Sequence, residues 1–218
     1  MGTLLTFEPP APHLRAALRA AAGADVGGRA ARRAIAAEIS YYRAHLHEGG
    51  DAAGLAALRR ASAEAMRPAL PEPVASLPGA ALTAALLGSL RFHAYPEVPA
   101  TLRELRRRGI RLVAVSNWDR SLHERLAETG LAPLLDGAVA SAELGAAKPD
   151  PAIFARGLEL AGVAAPDAWH AGDSPEADVA GALAAGLTPV LVARHGEPVP
   201  PGVARITALD GLISLLDG

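Results

Sequence analysis

The chain has 218 residues, of which 50% are hydrophobic and 20% charged, with a formal net charge of -2. That is enough chain for one core with a modest insertion, and the charge balance disfavours a nucleic-acid partner, which needs a basic excess to release phosphate counterions. The absence of cysteine excludes disulfides, thiolate zinc centres and a thiol nucleophile, while the lack of a long apolar stretch and of a signal-like start points to a cytoplasmic protein outside the membrane.

Residues 10 to 90 read as helices without strands. Helices are expected over 12–22, over 29–47 with Ile35, Ile39, Tyr42 and Leu46 on one face, over 51–66 with Asp51 as N-cap, and over 80–90. From Tyr95 onward the pattern changes. An amphipathic helix over 98–108 stops at Gly109 and is followed by the apolar run IRLVAV, read as a buried strand. Then come a helix over 121–129, a short strand GAVA, and a helix begun by Asp150 and Pro151. A strand AWHA, a helix over 175–185, a strand PVLV and a closing helix over 209–216 complete the chain. Strands alternating with helices of about ten residues imply parallel βαβ units and a doubly wound sheet, whose ligands bind at the carboxyl ends of the strands.

Three strand ends carry polar residues. Ser116 and Asn117 follow IRLVAV, Lys148 lies beyond GAVA, and Asp173 follows AWHA with Glu176 and Asp178 close behind. The chain contains 20 arginines but one lysine, one asparagine and no glutamine. A sequence that replaces lysine wherever a surface cation suffices draws attention to Lys148 and Asn117. Asp173 and Asp178 offer hard oxygen ligands suited to Mg²⁺, although an Asp in that place also serves as a helix N-cap. Ser116 and Asn117 suit either a phosphate oxygen or a helix-start turn. Lys148 supplies a point positive charge for carboxylate or phosphate.

Together these segments resemble the haloacid dehalogenase-like superfamily of hydrolases. YPEVPATLRELRRRGIRLVAVSNWD looks like the run into its second motif, AAKPDPAIF like its third, and HAGDSPEADVAGALAAG like its fourth. The resemblance implies an α/β Rossmann-like core with a doubly wound parallel sheet, over 1–7 plus 91–218, and an inserted α-helical cap over 8–90. It implies Mg²⁺-dependent hydrolysis of a small phosphorylated metabolite, in a monomer or homodimer with no nucleic-acid or membrane partner. Lys148 and Ser116 would be catalytic. Thr3, Ser116, Asn117 and Lys148 would meet the phosphate, and Asp173 and Asp178 would serve the metal. Gly2, Thr3 and Leu4 fit the end of the family's first motif, D-x-D/x-G-T-L. Its nucleophilic Asp, which forms an aspartyl-phosphate, would then lie two residues ahead of Met1, and the strand before it would be missing. A metal-free haloacid dehalogenase and a catalytically impaired binding protein are the alternatives. Gly2 and Thr6 also match a myristoylation pattern, which the family reading explains better. Trp118 either lines the cleft or, as is commoner, packs under it, His170 is read as a core-edge residue, and Tyr41, Tyr42, Arg43 and His45 either touch substrate from the cap or, for Tyr42, pack in the cap core.

Overall fold

A computed structural model describes residues 2–218. They form two compact units, one of residues up to Thr6 with His93–Gly218, the other of Phe7–Phe92.

Within Phe7–Phe92, alanine, leucine and arginine favour helix, and four helices form: α1 (Pro10–Ala22), α2 (Gly28–His45), α3 (Ala52–Met66) and α4 (Gly79–Ser89). Asp51 caps α3, its Oδ1 accepting the Gly54 N–H at 2.8 Å. Leu14 and Leu18 of α1, Ile35 of α2, Met66 of α3 and Leu82 and Leu86 of α4 share one apolar core. The buried stripe of α2 is Ala31, Ala34, Ile35 and Glu38. Ile35 and Ile39 of the expected face meet this core, whereas Tyr42 is half-buried and Leu46 lies beyond the end of the helix at His45.

Strands β1 (Leu5–Phe7) and β2 (Phe92–Ala94) pair with each other. Neither was expected, since three residues are too few for an alternation to register. The other unit continues with α5 (Val98–Arg107), β3 (Val113–Ser116), α6 (Leu122–Glu128), β4 (Gly137–Ala140), α7 (Ser141–Leu144) and α8 (Pro151–Ala161). It closes with β5 (Trp169–Gly172), a wide helical segment Pro175–Ala180 running into α9 (Gly181–Ala184), β6 (Thr188–Val192), β7 (Ala204–Ile206) and α10 (Gly211–Asp217). Strand β3 starts at Val113 rather than Ile110 because Asp136 occupies the ladder there. Its carboxylate takes the Leu112 N–H at 2.7 Å, and its own N–H donates to Leu112 O.

The core is α/β with parallel strands, but among the described residues its sheet is in two pieces. Strand β3 pairs in parallel with β4, Val113 opposite Gly137 and Ser116 opposite Ala140. Strand β5 pairs in parallel with β6, and β6 with β7. Between the pieces lies a cavity of about 520 Å³, lined by Val113 and Val115 of β3, His170 and Ala171 of β5 and apolar side chains of the surrounding helices. Burial follows from this division. Strand β6, paired on both edges, buries four of its five residues, whereas β3 and β5, each paired on one edge, bury one of four.

Candidate active site

The polar residues gather where β3 and β5 end. Lys148 arrives on the loop between α7 and α8, and Asn117 fixes its backbone. Asn117 Oδ1 accepts the Lys148 N–H at 2.7 Å, and Asn117 Nδ2 donates to Lys148 O at 2.9 Å. The lone asparagine thereby positions the lone lysine. Lys148 Nζ donates to Val115 O at 3.0 Å and to Asp178 Oδ1 at 2.5 Å. This ties the end of β3 to the helix that follows β5.

Asp178 is buried and fully engaged. Its Oδ1 also pairs with His170 Nε2 at 2.9 Å, and its Oδ2 accepts the Ser174 N–H at 2.9 Å. Burial opposes its charge, but the His170 hydrogen bond and the Lys148 ammonium outweigh that and hold the carboxyl well below the usual carboxylate range. The wide first turn aims it: Ser174 O accepts from both Asp178 N–H (2.9 Å) and Val179 N–H (3.1 Å), an expansion often found at functional positions. Gly172 leaves room, since a Cβ there would overlap the Asp178 carboxyl.

Asp173 does not cap this helix. Ser174 does so, its Oγ accepting the Ala177 N–H at 3.0 Å. Asp173 instead takes the Thr3 hydroxyl on Oδ1 at 2.7 Å. Gly2 has φ +115° and presses against Asp173 so closely that no Cβ fits, which makes glycine a requirement there. Arg194 secures the segment. Its Nε donates to Gly2 O at 2.7 Å, and its Nη2 donates to Thr3 O at 2.9 Å and to Glu97 Oε1 at 2.6 Å. Its guanidinium lies 3.6 Å from the Tyr95 ring centroid, a cation–π contact. Burial of Glu97 opposes its charge, but the Arg194 bond and the Leu209 N–H keep its carboxyl below the ordinary range.

Thr3, Ser116, Lys148, His170 and Asp173 all line the cavity between β3 and β5. The arrangement presents a hydroxyl, an ammonium and a carboxylate at one mouth, a set that binds an anion beside a hard cation. For Mg²⁺ the fit is through a single carboxylate. Asp178 has both oxygens committed, Asp173 Oδ2 remains, and among the described residues no three His, Asp or Glu side chains converge on one point. Mg²⁺ accepts one protein carboxylate when water and substrate supply the rest.

A family model for haloacid dehalogenase-like hydrolases matches residues 1–186. The chain belongs to this family. It is 44% identical over 104 residues to the haloacid dehalogenase-like hydrolase domain-containing protein 3 of Bos taurus, covering 48% of this chain and 41% of that protein. It is 41% identical over 112 residues to the phosphoserine phosphatase of Thermus thermophilus, covering 51% of this chain and 45% of that one. The chain thus spans less than half the length of these two curated relatives. The solved structure of a haloacid dehalogenase-like phosphatase from Thermococcus onnurineus superposes with a TM-score of 0.66 at 26% identity, over 100% of this chain and 95% of that one.

The roles of three residues of this haloacid dehalogenase-like site escaped the sequence reading. His170 sits at the core edge as expected, its ring meeting Phe154 edge-on at 5.0 Å, but its partnership with Asp178 was not foreseen. Arg194 stands just past the end of β6, and inspecting that strand end like the others would have found it. Glu97 carried no signal beyond opening a helix. Trp118 is buried as expected, its Nε1–H donating to Ser121 Oγ at 3.3 Å. In the Phe7–Phe92 unit, Tyr41 stacks on His45 at 4.0 Å.

Proposed function

We propose that the core hydrolyses phosphate monoesters of small metabolites with Mg²⁺, by attack of a carboxylate on phosphorus. The observation that carries this reading is the mounting of Lys148. The chain's one lysine is clamped through its backbone by the one asparagine and held by a buried carboxylate, while its third N–H is left for an anionic oxygen. Fixed donors aimed at developing charge are how phosphoryl transfer is accelerated. The phosphoserine phosphatase of Thermus thermophilus, 41% identical over the aligned residues, supports the same reaction class.

In this reading Ser116 and the Asn117 backbone N–H donate to phosphoryl oxygens beside Lys148. Thr3 orients Asp173 with its hydroxyl hydrogen, so its part is positioning rather than direct phosphate contact. Asp173 is the carboxylate for Mg²⁺, which when bound neutralises charge on the phosphoryl oxygens. Asp178 is the anchor of Lys148. The attacking carboxylate forms a P–O bond as the bond to the leaving alkoxide breaks, and water then releases inorganic phosphate and restores the carboxylate. Asp173 and Asp178 are both otherwise engaged, and the family resemblance assigns this carboxylate to a position two residues ahead of Met1. The Phe7–Phe92 helices are proposed as the cap that selects the substrate.

The test uses the chain preceded by an apolar strand ending in aspartate at that position. Release of phosphate from p-nitrophenyl phosphate and a panel of metabolite monoesters is expected with Mg²⁺ and is expected to stop in EDTA. Full turnover in EDTA, or halide release from 2-haloacids with no phosphatase activity, overturns the proposal.

A further inference from the structure

The clamp that Asn117 places on Lys148 lies at the surface. Asn117 is exposed, so water competes for both of its bonds to the Lys148 backbone, and such bonds alone hold a loop loosely. What keeps Asn117 in place is the layer beneath it. The β3–β4 ladder ends with Ser116 opposite Ala140. One residue further on, Ser141 continues the pairing with its side chain. Its Oγ accepts the Trp118 N–H at 3.1 Å and donates to Trp118 O at 3.3 Å, and the Ala142 N–H donates to the same carbonyl at 3.1 Å. The Trp118 ring is held as well, by its bond to Ser121 Oγ, and Asp119 Oδ1 in turn accepts the Ser121 N–H at 2.7 Å. Eight polar or charged residues are buried among the described residues, and Asp119, Ser121 and Ser141 are three of them. Buried polar groups are costly unless satisfied, and a satisfied network fixes one geometry. Three gathered around one turn mark it as a place where geometry matters.

We infer that Ser141 is a positioning residue for anion capture, its hydroxyl setting the turn over 116–118 and, through Asn117, the backbone of Lys148. The route is short. The Trp118 N–H belongs to the peptide unit that joins Asn117 to Trp118, so holding it orients Asn117. Asn117 carries that orientation to Lys148 through its two side-chain bonds. Lys148 Nζ is fixed separately, by Val115 O and Asp178, so Ser141 governs where the lysine backbone stands and Asp178 where its ammonium points. Trp118 is buried. Without the Ser141 hydroxyl its N–H loses this acceptor in a place that water does not reach, and the turn shifts to recover one. The bearing on phosphate rests on the phosphoryl-transfer reading above, and the clamp itself does not.

The sequence supplies the probe. With one asparagine and no glutamine, the chain has a single side-chain carboxamide, and its nitrogen–proton correlation spectrum carries one such NH₂ pair, that of Asn117. In Ser141→Ala this pair is expected to shift and to exchange faster with water. Inorganic phosphate, titrated calorimetrically with Mg²⁺ present, should bind this variant at least ~5-fold more weakly than wild type. Ser89→Ala removes a hydroxyl that is also buried, in α4, where it donates to Leu86 O. It should leave both the Asn117 pair and the phosphate affinity unchanged, which separates positioning from a general loss of stability. Should the alanine variant not fold, Ser141→Cys, similar in size but only a weak hydrogen bonder, is measured in its place by the same criteria. An Asn117 pair that stays put in the folded variant overturns the proposal. So does a pair that moves with no loss of phosphate affinity, or one that moves as far in Ser89→Ala. If wild type binds no phosphate while the Ser141 variant still moves the pair, the clamp on Lys148 stands and the proposed reaction falls.

Discussion

Asp178 determines how the site is held. A buried carboxylate shared by Lys148, His170 and the Ser174 N–H is expensive to disturb, because removing one partner leaves the other charge buried and uncompensated. Asp178→Asn is expected to lower stability by about 3–5 kcal/mol at pH 7, measured by urea unfolding. The sign with pH is fixed by its depressed folded pKa. Its contribution is complete above the unfolded carboxylate value near 4 and is lost as pH falls through the folded one. The gap between wild type and variant should accordingly hold from pH 7 to about 5 and shrink on further acidification. A gap that widens in acid would show that Asp178 is not the anchor. Arg194 acts at one remove, through the segment bearing Thr3. Arg194→Ala should weaken Mg²⁺ binding about 10–100-fold, as loss of a ligand-orienting contact does, measured by Mg²⁺ titration of intrinsic fluorescence. Unchanged affinity would separate Arg194 from the site. Lys148, Asn117 and Asp173 were legible in the sequence because composition made the first two conspicuous and a strand end exposed the third. The division of labour between the two aspartates was not legible, because it depends on Ser174 taking the cap and on a widened turn.

At the scale of elements, α2 carries the clearest departure from its sequence pattern. Glu38 falls on its buried stripe, and burial pushes the carboxyl up to about 7. A raised carboxyl is protonated in the fold below that value and ionised in the unfolded chain above about 4.3, so stability drains as pH rises between the two. Glu38→Gln should be neutral below pH 4 and stabilising at pH 8, by at most about 3 kcal/mol. Thermal unfolding at both pH values measures it, and an equal effect at both would place Glu38 in water. A 3.6-residue period with alanine as filler marks a helix but fixes its buried face only loosely, which explains why Ile35 and Ile39 of α2 were placed on the core while Glu38 beside them was not. Helices and the longer strands were legible for the converse reason: capping residues such as Asp51 and Asp150 make local bonds, to Gly54 and Ala152, that depend on nothing distant. The three-residue strands β1, β2 and β7 have no local signature and exist only through their partners.

At the scale of the whole molecule, the α/β class was legible and the broken continuity of its sheet was implied only through the family resemblance, since the register of a sheet is a property of several strands together. The two pieces are joined by side chains. Lys148 and its partners bridge the ends of β3 and β5 where no ladder does, so the chemical site is also a structural tie. The central claim is that this tie leaves a donor set that captures a phosphoryl group. Calorimetric titration of orthovanadate, a phosphate mimic, into the chain in the presence of Mg²⁺ measures that capture directly and requires no turnover. One-site binding is predicted, weakened at least ~10-fold by Lys148→Ala, in line with loss of a charge-assisted contact. Binding of equal strength in the Lys148→Ala variant, or no binding by the folded wild-type chain, would contradict the account.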